Sequence, residues 1–205
     1  MKIGIDLDGV VIDSETSFRV YEEIFAIEEL NGRKIINAKE PKYQQRYDWS
    51  KEEQNKFNEK YLLKAAQESS LMCGFLPVYK RLKELGHELI VITARGMFIE
   101  EMKDDAIRLL EENGIVFDKY YWNITNKLEI CKKENIDVMI DDDHRIIKQI
   151  SNAQIKTLYF RDTNLIKMEE SEYVYEVNNW GDVYRYFKEV WVIWKTMRIK
   201  KLEYQ

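Results

Sequence analysis

The stretch IGIDLDGVV, residues 3–11, decides the fold: an apolar run beginning at Ile3 delivers Asp6 and Asp8 straight into a turn containing Gly9. Side chains of an extended segment alternate in direction, so Asp6 and Asp8 point the same way while Leu7 points into the core. Two like charges converging at the end of an apolar strand are costly unless a cation or a raised pKa relieves the repulsion. A bound divalent metal is the simplest relief.

Working outward, HELIVITAR (residues 87–95) brings Thr93, Ala94 and Arg95 to the end of a second apolar strand. Lys127 lies in TNKLEICKK, and IDVMIDDDHR ends a third strand in Asp141, Asp142 and Asp143. Strands are expected at Lys2–Leu7, Glu88–Thr93, Val138–Ile140 and Thr157–Phe160, with a further candidate at Tyr120–Ile124. Between them, Val78–Leu85, Glu100–Asn113, Lys127–Glu134 and Arg145–Asn152 carry apolar residues at helical spacing. Such alternation predicts an α/β, Rossmann-like three-layer core with a parallel sheet covered on both faces. In these sheets ligands bind beyond the carboxyl ends of the strands. Each candidate residue sits at such an end, except Lys127, which opens a helix.

Between Asp13 and about Met72 no buried strand is legible, only two helical patterns, Glu15–Leu30 and Ser50–Glu68, joined by a polar, Lys-rich connection with Pro41. Ser50 followed by Glu53 has the form of a capping box. This predicts a small helical cap over residues 15–72, inserted after the first strand of a core made of residues 1–14 and 73–205. The cap concentrates aromatics: Phe18, Tyr21, Phe25, Tyr43, Tyr47, Trp49, Phe57 and Tyr61. At helical spacing such rings are expected to form the cap's own core, with one or two left to stack on a ligand.

An Asp-x-Asp opening, a Thr ending the next core strand, a Lys opening a later helix and an acidic cluster ending another strand, in this order, resemble the haloacid dehalogenase-like phosphatases. The ITAR wording, KLEICKKENIDVMIDDD and the DGVV ending look most like the 5'-deoxyribonucleotidase branch (5'-nucleotidase type C). The resemblance implies Asp6 as nucleophile, Asp8 as general acid and base, and Lys127 neutralising both phosphate and Asp6. It also implies phosphate contacts from Thr93, Ala94, the Asp8–Gly9 turn and Lys127. The implied Mg²⁺ is held by Asp6, the Asp8 main-chain carbonyl and one acid of the cluster, Asp141 or Asp142. The expected reaction is phosphomonoester hydrolysis through an aspartyl-phosphate, with a deoxy or pyrimidine nucleoside 5'-monophosphate as first substrate class. A sugar phosphate is the alternative, which the VIDSE continuation also resembles, and a non-catalytic binding protein of the same fold is a third. A two-component receiver domain also combines acids, Thr and Lys, but in a different order.

Individual residues have second readings. Arg95 binds phosphate or lies on the surface. Asp143 is the least suited of the three acids to a metal, and one acid of the cluster is expected to cap the following helix while another is the ligand. Lys127 could be a solvated helix-start lysine, beside Lys132 and Lys133. His87 and His144 are expected to be structural.

With 32 Lys+Arg against 37 Asp+Glu, a net charge of −5 excludes a phosphate-neutralising nucleic-acid surface but not a small anionic substrate in a locally cationic pocket. No run approaches the roughly 20 apolar residues that span a bilayer, and the N-terminal run is not a signal peptide. Cys73 and Cys131 are isolated, as expected of reduced thiols in a cytoplasmic protein. In the segment 182–205, Val183, Phe187, Val190, Trp191, Trp194 and Met197 recur at helical spacing before RIKK. This predicts a packed terminal helix or, if exposed, a homodimer face or a membrane-surface helix.

Overall fold

In a computed structural model that describes residues 1–40, 42–161 and 166–189, strand β1 (Lys2–Ile5) lies at the centre of a six-stranded sheet. Ile3 and Ile5, on one face, are fully buried, and on the other Gly4 leaves room for Met139 and Ile92 to pack close. After the cap come β4 (Glu88–Ile92), β5 (Lys119–Tyr121), β6 (Val138–Asp141), β7 (Lys156–Phe160) and β8 (Val174–Val177). The sheet order is β5-β4-β1-β6-β7-β8, and every pairing in it is parallel. The chain winds outward from β1 through β4 to β5, then returns to the other side of β1 for β6. The ends of β1, β4 and β6 are therefore neighbours at the switch point, where a crevice forms.

Helices α5 (Phe75–Glu84), α6 (Glu101–Glu112), α7 (Lys127–Glu134) and α8 (His144–Asn152) cover this sheet, and residues 180–189 are helical. The outermost strand, β8, was not legible beforehand: its VYEV buries only Val174 and Val177, the pattern of an edge strand. The candidate at Tyr120–Ile124 forms, but as Lys119–Tyr121. Helix α5 starts three residues before Val78, where Gly74 in a left-handed conformation (φ 80°) turns the chain into it.

The cap is helical as expected, with one correction at its base. Two short strands, β2 (Ile12–Asp13) and β3 (Ser70–Leu71), pair antiparallel where the chain leaves the core and returns to it. Two-residue strands carry no periodicity, so the sequence concealed them. Helix α1 (Ser14–Glu29) is capped by the Asp13 side chain. A short α2 (Tyr43–Arg46) follows, and the expected capping box at Ser50 and Glu53 opens α3 (Lys51–Phe57). The expected single helix to Glu68 is interrupted by a π-helical turn, Asn58–Leu62, before α4 (Leu63–Gln67). The buried residues Phe57, Tyr61 and Ala65 recur every four positions. That spacing drifts around an α-helix of 3.6 residues per turn, and local underwinding keeps the three on one face.

Phe25, Tyr47, Trp49, Phe57 and Tyr61 form a separate apolar cluster, so these rings are the cap's own core. Of the C-terminal pattern, Val183 and Phe187 are buried against the sheet, which fits a packed helix as far as residue 189. Val190, Trp191, Trp194, Met197 and RIKK lie outside the described residues. Among the described residues no helix is long and apolar enough to cross a membrane.

Candidate active site

Asp6 leaves the end of β1 with its amide donating to the Ile140 carbonyl (3.0 Å), which seats it beside the end of β6. Asp141 is the last residue of β6 and fully buried. Lys127, at the start of α7, places its ammonium between them, 2.8 Å from Asp6 Oδ2 and 2.7 Å from Asp141 Oδ2. The solvated reading of Lys127 is thus excluded: the residue is buried. Burial alone would lower its pKa, but the Asp141 and Asp6 carboxylates overcome that and hold it above the usual lysine value. Asp142 follows, partly open to solvent, with a carboxylate oxygen from Asp6, Asp141 and Asp142 all within 4.8 Å of one another.

Three acids and one lysine leave an excess of negative charge. Burial first, and then the neighbouring carboxylates, push both Asp141 and Asp142 above the ordinary range. Lys127 and Asp141 are both shifted up, and the ammonium is the firmer of the two because two carboxylates contact it. Burial is the largest cause for both acids, and the carboxylate in excess adds to it. Asp6 Oδ1 is buried with no hydrogen-bond partner among the described residues. A cluster of hard oxygen donors with an orphaned buried oxygen fits Mg²⁺ and offers no nitrogen or sulfur to a softer metal. Gly9 is required here. Its φ is 73°, and a Cβ would come within 2.3 Å of Asp142 Oδ2.

Asp141 and Asp142, left open by spacing, differ in their partners. Asp141 Oδ2 accepts from Lys127, and its Oδ1 accepts from the Asp143 amide (2.9 Å). Asp142 lies over Gly9, on the side of the Asp6–Asp8 turn. Asp143 caps α8, accepting from the Arg145 amide (3.0 Å), and pairs with the Arg145 guanidinium and with Lys42. Burial would raise its carboxyl, but Arg145 and Lys42 hold it well below the usual range.

The Asp8 side chain lies outside the oxygen cluster and is bound by Arg95. Arg95 is buried and also donates from Nε to the Met102 carbonyl (2.8 Å), so the surface reading is excluded. Thr93 is buried at the end of β4, its hydroxyl accepting from the Arg95 amide (3.2 Å), while Ala94 is exposed beside it. The structure therefore brings Asp6, Lys127, Asp141 and Asp142 into one cluster, with Asp8 and Arg95 paired at its edge.

Searches of protein-family models and of curated proteins find no match to this chain. Solved structures do match. A haloacid dehalogenase-like family hydrolase from Streptococcus pneumoniae superposes with a TM-score of 0.67 at 16% identity, covering 91% of this chain and 97% of that one. A predicted phosphatase from Clostridium acetobutylicum gives 0.64 at 15% identity over 92% and 98%. A putative β-phosphoglucomutase from Thermotoga maritima gives 0.59 at 14% over 92% and 99%. The fold is the haloacid dehalogenase-like one.

Within this fold, two residues of the site's surroundings had escaped the sequence. Lys42, 3.1 Å from Asp143, is a cap residue whose contact spans 101 positions, beyond any local pattern. Trp180, fully buried, donates from its indole nitrogen to the Val10 carbonyl (2.7 Å), in the turn that follows Asp8. A lone Trp at a helix start gives no such signal.

His87 is structural as expected. It is buried beside the N-terminal amine, and burial together with that charge lowers its pKa to about 4. Burial pushes the Cys131 thiol up to about 12, so it is inert.

Proposed function

We propose that this chain is a Mg²⁺-dependent phosphomonoesterase that works through an aspartyl-phosphate. The observation that carries this reading is the buried Asp6 carboxylate, oriented by Lys127 at 2.8 Å, with Asp8 two residues on and held by Arg95. Asp6 attacks phosphorus in line, and the bond from phosphorus to the ester oxygen breaks. Asp8 delivers a proton to the departing alkoxide. In the second half Asp8 takes a proton from water, whose oxygen attacks the phosphoryl group and frees Asp6. Lys127 offsets charge on the phosphoryl oxygens, and the Thr93–Ala94 loop and the Gly9 turn supply hydrogen-bond donors to them. Mg²⁺, held by Asp6, Asp142 and the Asp8 main-chain carbonyl, would supply charge neutralisation between the carboxylate and the phosphate dianion. Asp141, already engaged by Lys127 and the Asp143 amide, keeps the lysine in place from outside the coordination sphere.

For the substrate we favour a small hydroxylated phosphate ester of the sugar-phosphate kind over a nucleotide. The nucleotide reading came from motif wording, and cap rings facing the site would have favoured it; Phe25, Tyr47, Trp49, Phe57 and Tyr61 are instead packed on one another. Lys42, a polar cap residue, meets the core at Asp143, next to the acid cluster. The test is phosphate release from a panel of sugar phosphates and nucleoside monophosphates, with Mg²⁺ and with chelator, and Asp6→Asn as control. Metal-dependent release that Asp6→Asn abolishes supports the reaction, and faster turnover of sugar phosphates supports the substrate class. Release from nucleotides alone reverses the substrate choice.

A further inference from the structure

The turn between Asp8 and the cap is fastened at consecutive carbonyls by two distant parts of the chain. Leu7 O accepts from the amides of Val11 (2.9 Å) and Ile12 (2.8 Å), and Gly9 N donates to Ile12 O (2.9 Å), so residues 7–12 form one tight loop with Asp8 on it. Outward from that loop, Val10 O accepts from Trp180 Nε1 at 2.7 Å and Val11 O accepts from Met72 N at 2.8 Å. Met72 belongs to the returning cap linker, just after β3. The Trp180 ring also stands edge-on to Phe75 (centroids 4.9 Å apart), and a Cβ on Gly74 would lie 3.5 Å from the Trp180 Cβ. One fully buried side chain at the start of the C-terminal helix thus touches the turn that leads into the cap and the first residues of the core after it, Gly74 and Phe75.

We infer that Trp180 is a positioning residue: its indole N–H, donated to Val10, fixes the turn that carries Asp8 and couples that turn to the chain returning from the cap. This rests on the proposed phosphatase reaction. There Asp8 must pass from Arg95 to the leaving oxygen while the loop that holds it keeps its place. A buried indole N–H needs an acceptor, and Phe in its place keeps a ring against Phe75 while leaving Val10 O without its donor.

Trp180→Phe separates positioning from general packing. With p-nitrophenyl phosphate the leaving group departs with little need of a proton, whereas the best alkyl ester of the panel needs one from Asp8. The expected result is a fall in kcat/KM of about tenfold on the alkyl ester and of less than about twofold on the aryl ester, because kcat/KM reports the step that needs Asp8 as acid and not the aspartyl-phosphate hydrolysis that both esters share. Amide exchange is expected to quicken about tenfold at residues 10–12 and 70–72 while the central strands β4 and β6 stay protected. Equal losses on both esters, or exchange that is unchanged or uniformly faster, overturns the inference. If the wild-type chain releases no phosphate from any ester, the proposed reaction fails, and the exchange pattern alone decides the coupling. Should Trp180→Phe not fold, the same coupling is read in the wild-type chain from the ¹⁵N-labelled Trp180 indole. Its signal is expected to shift when Mg²⁺ and orthovanadate are added, and a fixed signal overturns the inference.

Discussion

Two buried ionic clusters in this molecule share one plan, a cation held between two carboxylates, and differ in what completes them. In the cleft, Lys127 sits between Asp6 and Asp141; in the cap, fully buried Arg46 sits between Glu15 (2.6 Å) and Glu22 (3.1 Å). The cap cluster has a second cation, Arg19, 2.7 Å from Glu15, so its charges balance, and what remains strained is the burial of Glu22. Burial first, opposed by Arg46, raises Glu22 to about 8. A proton relieves this cluster. The cleft instead adds a third carboxylate, Asp142, and leaves Asp6 Oδ1 without a partner. Its excess calls for a divalent cation. Two arrangements with the same core of three residues thus differ in what is added to it, an arginine in the cap and a third acid in the cleft.

The sharpest way to break this contrast is Asp6→Asn, expected to lower phosphate release by at least about 10³-fold while the circular dichroism spectrum is kept, since a nucleophile is lost. Unaltered turnover would make the cleft another structural cluster. Arg46→Ala removes the donor that Glu15 and Glu22 share and is expected to cost about 3 kcal/mol in chemical denaturation, the penalty of buried polar groups left without a partner. Next in size is the metal. At about 100 times its Kd, Mg²⁺ is expected to stabilise the wild-type chain by about 2.7 kcal/mol, a Tm rise of roughly 5–10 °C. Asp142→Asn is expected to erase that rise while raising the Tm of the metal-free protein, because a like charge is gone. Glu22→Gln should leave the Mg²⁺ response intact, and a lost response would dissolve the distinction between the clusters.

The smallest effect is the pH dependence of the cap. Glu22 has a folded pKa of about 8, above the ordinary value of 4.5, so its stabilising contribution is complete below about 4.5 and is lost as pH rises towards 8. His87 runs the other way: lowered from 6.5 to about 4, it favours folding above 6.5 and costs stability as pH falls towards 4. Between pH 6.5 and 8 only the Glu22 slope remains of the two, about 2 kcal/mol at about 1.4 kcal/mol per pH unit. Denaturation at those two pH values should show the loss, and Glu22→Gln should flatten it.

What was legible beforehand followed the reach of local patterns. Asp6, Thr93 and Asp141 end strands whose apolar runs are unmistakable, so both the parallel sheet and the cleft at its carboxyl edge followed from spacing. The helical character of the segment between β2 and β3 could be read from the absence of such runs. The β2–β3 pair, the π-helical turn and β8 are short or half-polar, and their conformation is imposed by neighbours rather than by propensity. The partners of Arg95 were equally hidden: its pairing with Asp8 spans 87 positions. Nucleotide specificity was the weakest inference, because the wording that suggested it, ITAR and DGVV, lies in the core, and a stripe of aromatics in the cap does not say whether it faces a ligand or itself.

The antiparallel pairing of Ile12 with Leu71 and Asp13 with Ser70 has an engineering consequence. The chain departs for the cap and comes back at adjacent points, so some fifty-six residues, 14–69, hang from the core by two touching strands. Such an insertion is a cassette. A tight Asn-Gly turn joining residue 13 to residue 70 would close the hairpin without stretching the backbone, and a foreign cap grafted between the same two positions would inherit the geometry of the original.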